Sequence, residues 1–189
     1  MADPVLTPEP FLGGYAKKFK NAVLSEATGL SIVFVAEPPD GREELELALF
    51  EKFGLNLPRP GSSNLSANRV ARIVWLAIGQ YLILFEDCKG PAAHRVSAEL
   101  QDTAYVGDQS DNWVALRLSG AAAEAALERI CPVDVAKCAF PVGGVARTAM
   151  EHLGAIAIRE SNDGFLLLSS SSSARSFLHA VQTSLNNVH

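Results

Sequence analysis

The chain has 189 residues and a net charge of −5, with 48% apolar and 20% charged residues. This balance predicts one folded domain of moderate size and excludes a disordered chain. The only cluster of basic residues in the sequence is the small one at Lys17, Lys18 and Lys20. This argues against a nucleic-acid-binding protein. No apolar run reaches the roughly 18 residues of a membrane span, and three widely spaced cysteines match no zinc motif. We therefore expect a cytoplasmic protein with no secretory signal and reduced thiols.

Residues 1–29 are predicted to form an extended N-terminal arm. Three prolines and the pair Gly13–Gly14 interrupt regular structure early in this segment. The large apolar side chains of the arm include Phe11, Leu12, Tyr15 and Phe19. Such a cluster is costly to leave in water, so the arm either packs on its own domain or lies on a partner chain. We expect the arm, through Lys20, to bind a partner.

Residues 30–189 predict a single α+β domain made of two similar halves, 30–104 and 105–189. In the first half, the β-branched run at 30–36 predicts a buried strand, and a spacing of four between apolar residues predicts a helix over 43–53. Asp40 is the expected N-cap of this helix and Gly54 its stop. A loop is predicted over 55–65. The half closes with a hairpin of strands 70–78 and 81–85 and a helix over 91–101.

The second half repeats this order. A strand is predicted over 113–118, then a helix over 121–130 with Ser119 as its N-cap. After a loop at 140–144, three strands are predicted over 145–150, 154–159 and 165–168, followed by a helix over 174–185 capped by Ser172 or Ser173. Both halves therefore read strand, helix, strands, helix. This order predicts a mixed or largely antiparallel sheet packed by helices on one face.

No set of residues predicts a catalytic, cofactor-binding or metal-binding site in this chain. The histidines at 94, 152, 179 and 189 have no nucleophile or second ligand at suitable spacing. The serine run at 169–173 lacks the glycines of a nucleophile elbow. The pair Gly143–Gly144 precedes a strand, whereas a phosphate loop precedes a helix.

Six residues are candidates for a protein interface, because aromatic residues and arginine are enriched in binding hot spots. They are Phe11, Tyr15, Trp113, Arg117, Arg147 and Arg175. Trp113, Ala115 and Arg117 share one face of the predicted strand, and a buried unpaired arginine would be costly there. We therefore expect Trp113 and Arg117 at or near a subunit interface, with Arg117 paired to a carboxylate. The alternative is a core tryptophan and an arginine that extends along its own sheet to water.

Several short sequence motifs, in matching order, resemble those of the gamma subunit of the heterotetrameric sarcosine oxidase family. These motifs occupy residues 108–120 (DQSDNWVALRLSG), 131–134 (CPVD), 140–148, 163–165 and 174–177. The resemblance extends over 108–180 and is faint before Tyr105. It implies a fold similar to the folate-binding domain of the glycine-cleavage T-protein.

The resemblance also implies a role. The chain would be a non-catalytic gamma subunit that contacts the alpha subunit directly, in one complex with beta and delta subunits. The other subunits would hold FAD, FMN, NAD and tetrahydrofolate, and the enzyme would oxidatively demethylate sarcosine or another N-methyl amino acid. The alternative is a stand-alone folate-binding or one-carbon-transfer protein of the same fold. A pterin site would need an acidic residue in a pocket, for which Asp111 and Glu151 are the candidates.

Overall fold

The computed structural model describes residues 9–86 and 90–188, which contain eleven strands and four helices. The strands are β1 Ala16–Lys18, β2 Val23–Glu26, β3 Ser31–Ala36, β4 Ser63–Leu65, β5 Ala71–Ala77, β6 Gln80–Phe85, β7 Tyr105–Asp108, β8 Trp113–Ser119, β9 Val145–Met150, β10 Leu153–Ser161 and β11 Gly164–Ser170. The helices are α1 Arg42–Phe53, α2 Ala92–Leu100, α3 Ala123–Glu128 and α4 Ala174–Asn186. No helix in these ranges is long and apolar enough to cross a bilayer.

The strands form two antiparallel sheets that pack face to face. One sheet has six strands in the order β1-β2-β8-β11-β10-β9, and the other has five in the order β4-β5-β6-β3-β7. The inter-sheet layer is apolar along most of its length and contains Ile32, Val74, Leu82, Ile156, Ile158, Leu166 and Leu168. Helices α1 and α2 cover the outer face of the five-stranded sheet, and α3 and α4 cover that of the six-stranded sheet. The molecule therefore has four layers.

The predicted α+β class and the antiparallel pairing are confirmed, but the single sheet with helices on one face is wrong. Strands such as β5 are buried on both faces: Ile73 packs in the core beneath α1 and α2, while Val74 packs against the opposite sheet. A strand with two dry faces needs two covering layers, which one layer of helices cannot provide.

Two chain segments cross the predicted boundaries. Strand β7, at the start of the second half, pairs with β3 in the five-stranded sheet. Strands β1 and β2, inside the predicted arm, form a hairpin in which Leu24 pairs with Leu118 of β8. The prediction of an extended arm is therefore wrong for residues 16–26, which form this hairpin. Residues 1–8 lie outside the described ranges.

The large side chains of this N-terminal segment differ in their surroundings. Leu12, Tyr15 and Phe19 pack against the chain's own core beneath α3 and α4, whereas Phe11 is exposed. The prolines do not prevent this packing, since β1 and β2 follow them along the chain. The segment is thus largely part of its own domain.

The predicted helix ends are confirmed in part. Gly54 ends α1 in the left-handed conformation at φ 63°, as expected. The three predicted side-chain caps are wrong. Asp40 itself lies at φ 60° and Gly41 is the N-cap of α1, Ser119 is the last residue of β8, and Ser173 precedes α4 without a capping hydrogen bond. A 3-10 turn over Ser171–Ser173 leads directly into α4. Ser172 bonds instead to the hydroxyl of Ser170.

Candidate functional site

The six predicted interface residues do not converge on one surface. Phe11 and Trp113 line the same cavity of about 620 Å³ at one end of the inter-sheet layer. The hydroxyl of Tyr15 accepts a hydrogen bond from Gln182 at 2.6 Å, which ties the N-terminal segment to α4. Arg147 on β9 and Arg175 on α4 are exposed on separate elements. The role of all six residues at an interface stays a prediction.

The 620 Å³ cavity combines an aromatic wall with carboxylates. Trp113, Asp108, Asp111 and Glu26 all line it, and the buried indole Nε1 of Trp113 has no partner among the described residues. The Glu26 carboxylate is already occupied, since it accepts from the backbone N–H groups of residue 12 at 3.0 Å and residue 14 at 2.8 Å. Of the two acids proposed for a pterin site, Asp111 lines this cavity. Glu151 lines a different cavity of about 350 Å³, together with His179.

Trp113 and Arg117 share one face of β8, as predicted, but this face does not point out of the domain. That face of β8 lies against the opposite sheet: Ala115 is buried in the inter-sheet layer and Trp113 packs against it. Arg117 does find carboxylates, but in its own chain. Its Nε donates to Glu160 at 3.2 Å and its guanidinium also pairs with Glu86. Alternation along one strand cannot reveal counter-ions that other strands supply.

The same two glutamates hold Arg117 firmly charged. Burial by itself would lower the pKa of Arg117, but attraction to Glu160 and Glu86, together with hydrogen bonds to both, outweighs burial and raises it. Arg117 therefore links β8, β10 and the residue after β6, at the end of the inter-sheet layer that lies opposite Trp113.

A buried arginine on β10 escaped the sequence analysis. Arg159 is 1% exposed and lies 4.4 Å from the ring centre of Phe165. It donates to the Glu124 carboxylate at 3.0 Å, to the carbonyl of residue 162 at 2.6 Å and to the carbonyl of Val135. A signal was present, because Arg159 continues the alternation of Ala155 and Ala157, which face the core beneath α3 and α4.

A second polar cluster joins α1 to the five-stranded sheet. The hydroxyl of Tyr81 donates to Glu37 at 2.6 Å and accepts from Arg42 at 3.0 Å. Burial, aided by Glu37, raises the pKa of Tyr81 to about 12. Tyr81 is therefore protonated at neutral pH.

The reactive side chains are dispersed. His94 on α2 and His179 on α4 are exposed, and so is His152, in the turn between β9 and β10. Cys131 is buried, which raises the pKa of its thiol, while Cys138 is exposed. Among residues 9–86 and 90–188, no three His, Cys, Asp or Glu side chains are placed to hold a metal ion. Cys88 and His189 lie outside the described ranges.

An exposed apolar face on α1 was also missed. Leu45 and Leu49 are buried, as the spacing predicts, but Leu47 and Phe50 are 59% and 57% exposed on the other side of the helix. The signal was the run of four consecutive apolar residues at 47–50, because consecutive residues of a helix point to different sides and cannot all face the core. Exposed glutamates surround the pair, at positions 43, 44, 46 and 51.

Comparisons with known proteins give a consistent result, although no family model matches the chain. Two curated relatives are both named sarcosine oxidase subunit gamma. The relative from Arthrobacter sp. is 27% identical over 121 residues, covering 64% of this chain and 60% of that protein. The relative from Corynebacterium sp. (strain P-1) is 26% identical over 132 residues, covering 70% and 65%. The match thus spans under two thirds of the length of these relatives.

Two solved structures share the fold. The heterotetrameric sarcosine oxidase from Corynebacterium sp. U-96, in complex with pyrrole 2-carboxylate, matches with a TM-score of 0.76 at 22% identity, over 88% of this chain and 85% of that chain. The glycine cleavage system aminomethyltransferase T from Bartonella henselae matches with a TM-score of 0.58 at 17% identity, over 85% and 45%. The chain resembles sarcosine oxidase gamma subunits in sequence. At these identities the structural likeness establishes the fold, and it confirms the prediction of a T-protein-like fold.

Proposed function

We propose that this chain is the non-catalytic gamma-type subunit of a heterotetrameric flavoenzyme similar to sarcosine oxidase. The observation that carries the proposal is the match to a chain of the heterotetrameric enzyme over 88% of the present chain, with a TM-score of 0.76. The names of the two curated relatives support it. The reaction proposed for the whole enzyme is oxidative demethylation of sarcosine or another N-methyl amino acid.

In this proposal the chain has an assembly role and contacts the alpha subunit directly, while beta and delta belong to the same cytoplasmic complex. FAD, FMN, NAD and tetrahydrofolate are assigned to the other subunits. The dispersed histidines and thiols among the described residues are consistent with this division of labour, because acid–base or nucleophilic catalysis needs partners within hydrogen-bond reach.

The strongest candidate for the contact is the exposed face of α1. Leu47 and Phe50 offer apolar area at the centre, and the surrounding glutamates favour a partner surface with an apolar patch edged by lysine or arginine. Phe11, Arg147 and Arg175 are exposed and remain part of the proposed interface.

Co-expression of the tagged chain with the alpha, beta and delta chains tests the proposal. We expect all four chains to co-purify, and we expect the double variant L47S/F50S to lower the recovery of complex at least fivefold. The matched control is I78S, which removes a 91% exposed apolar side chain from the turn between β5 and β6. The isolated variants should melt within about 2 °C of the parent chain, since exposed substitutions change stability little. Failure of the parent chain to co-purify would contradict the subunit role.

The stand-alone alternative is tested on the isolated chain. The 620 Å³ cavity with Trp113 and Asp111 is the larger of the two cavities that contain a candidate acid for a pterin site. Calorimetric titration with tetrahydrofolate should show no saturable binding if the chain is an assembly subunit. Micromolar binding that is weakened by D111N would favour a folate-binding protein.

A further inference from the structure

The inter-sheet layer ends in a group of charged side chains around a cavity of about 330 Å³. Arg72 on β5 and Glu160 on β10 come from opposite sheets, and Glu86 follows β6 directly. Arg69, in the loop before β5, completes the charged wall, and Leu65 and Leu84 supply apolar surface. This cavity is remote from the tryptophan end of the layer, since Arg117 lies four residues beyond Trp113, about 13 Å along the strand.

Arg72 is buried and forms no ion pair with any of the residues that the structure describes. Its side chain is on the inter-sheet face, the residue is 9% exposed, and one guanidinium nitrogen donates to the hydroxyl of Ser63 at 2.9 Å. Ser63 donates its own proton to the carbonyl of Gly143 at 3.0 Å, so it orients the guanidinium but cannot neutralise it. No carboxylate of the described residues lies within ion-pair distance of Arg72.

Two glutamates are close enough to attract Arg72, but both are already bound. Glu160 and Glu86 pair with Arg117. With Arg69 and Arg117, the charged group around Arg72 has three arginines and two glutamates, which leaves one positive charge uncompensated among the described residues. Burial lowers the pKa of Arg72, Glu160 and Glu86 offset part of that effect, and Arg69 and Arg117 add to it. A buried cation left in this state costs several kcal/mol, which a bound anion would offset.

We propose that this cavity binds a carboxylate group, held by the guanidinium of Arg72 with Arg69 at the rim. A guanidinium matches a carboxylate in a two-point hydrogen-bonded arrangement. The single excess charge favours a monoanion, because Glu86 and Glu160 would repel a phosphate dianion. Leu65 and Leu84 provide a surface for a short apolar chain attached to the carboxylate. This proposal is independent of the subunit role, since it concerns the isolated chain.

The test uses the full chain and three sodium salts at equal ionic strength: butyrate, phosphate and chloride. Melting temperature and calorimetry should show saturable binding of butyrate in the millimolar range, and weaker or no binding of phosphate. R72M and R69M should each weaken butyrate binding at least tenfold. The matched control is R129M, which removes an exposed arginine at the end of α3 and should bind butyrate like the parent chain.

Three results would overturn the proposal. The first is no difference between butyrate and chloride in the parent chain. The second is undiminished binding in both arginine variants; if R72M does not fold, R69M decides, because Arg69 is exposed. The third concerns Asp87, which lies outside the described ranges. Butyrate binding that appears only in D87N would mean that the chain's own carboxylate fills the cavity.

The source of the carboxylate is found by repeating the butyrate titration on the assembled complex. Retained binding identifies a free small carboxylate as the ligand. Binding that is blocked by assembly identifies an acidic side chain of a partner subunit. Either result supports a carboxylate site at Arg72, and the isolated-chain titration stands even if the four chains do not assemble.

Discussion

The guanidinium of Arg159 on β10 donates to the carboxylate of Glu124 on α3 across 3.0 Å, although Arg159 is almost fully buried. Two backbone carbonyls satisfy further N–H groups of the same arginine. The contact therefore fixes a short helix to the six-stranded sheet through a charge that cannot reach water. Loss of its carboxylate partner leaves that charge uncompensated.

Replacement of this carboxylate should be strongly destabilising. We expect E124L to lower the free energy of unfolding by about 2–4 kcal/mol, because a buried cation loses its counter-ion. Urea denaturation of the isolated chain measures the change. Glu128, one turn later on α3, is exposed and is the matched control; E128L should stay within about 0.5 kcal/mol of the parent. Equal effects of the two variants would contradict a role for the pair.

Gly120 should tolerate no side chain. It has φ 113°, and a Cβ built there would lie 2.5 Å from the carbonyl oxygen of Asn21 and 2.9 Å from the Cα of Ala22. Both contacts are with backbone before β2, so G120A must displace the N-terminal hairpin. We expect a loss of about 2–4 kcal/mol in urea denaturation. G154A is the control, since its Cβ meets nothing within 4 Å. A loss no greater than that of G154A would refute this reading.

The turn between β9 and β10 stores backbone strain. Its two residues, Glu151 and His152, both have left-handed conformations, at φ 47° and 70°. A two-residue hairpin turn of this form favours Asn-Gly. E151N/H152G should therefore raise the free energy of unfolding by about 0.5–1.5 kcal/mol. H179G, on α4, should lower it by about 1 kcal/mol, because glycine weakens a helix. A destabilised turn variant would show that other contacts outweigh the strain.

Alkaline pH should weaken the fold through Tyr81. Its pKa is raised to about 12 in the folded chain, from an ordinary value of about 10 in the unfolded chain. Between these values the unfolded state has lost the proton that the folded state keeps. The contribution of Tyr81 to the free energy of unfolding is therefore fully present below pH 10 and declines as pH rises towards 12. We expect Y81F to remove this part of the decline, measured by urea denaturation at several pH values. Y105F changes an exposed tyrosine and should decline like the parent.

Periodic elements could be predicted from the sequence, because their signal is local. The spacing of Leu45 and Leu49 predicted α1, and both side chains are buried. The β-branched run at 30–36 predicted β3, which spans Ser31–Ala36. The Gly79 hairpin between β5 and β6 was also predicted, with ends shifted by one residue.

The short strands could not be predicted, because their partners are distant. Strand β1 has three exposed residues and β4 only three residues in all, so neither shows alternation. Each is a strand through hydrogen bonds to its neighbour. The charged end of the inter-sheet layer was missed for the same reason, since the carboxylates around Arg117 come from two other strands' ends.

The pairing of β2 with β8 has a consequence for folding during synthesis. Leu24 leaves the ribosome roughly ninety residues before Leu118, its neighbour in the sheet, so the hairpin of β1 and β2 has no edge to join until then. The five-stranded sheet, by contrast, has all its strands once Asp108 has emerged. Vectorial synthesis therefore favours the five-stranded sheet as the first to form, with the start of the chain incorporated late.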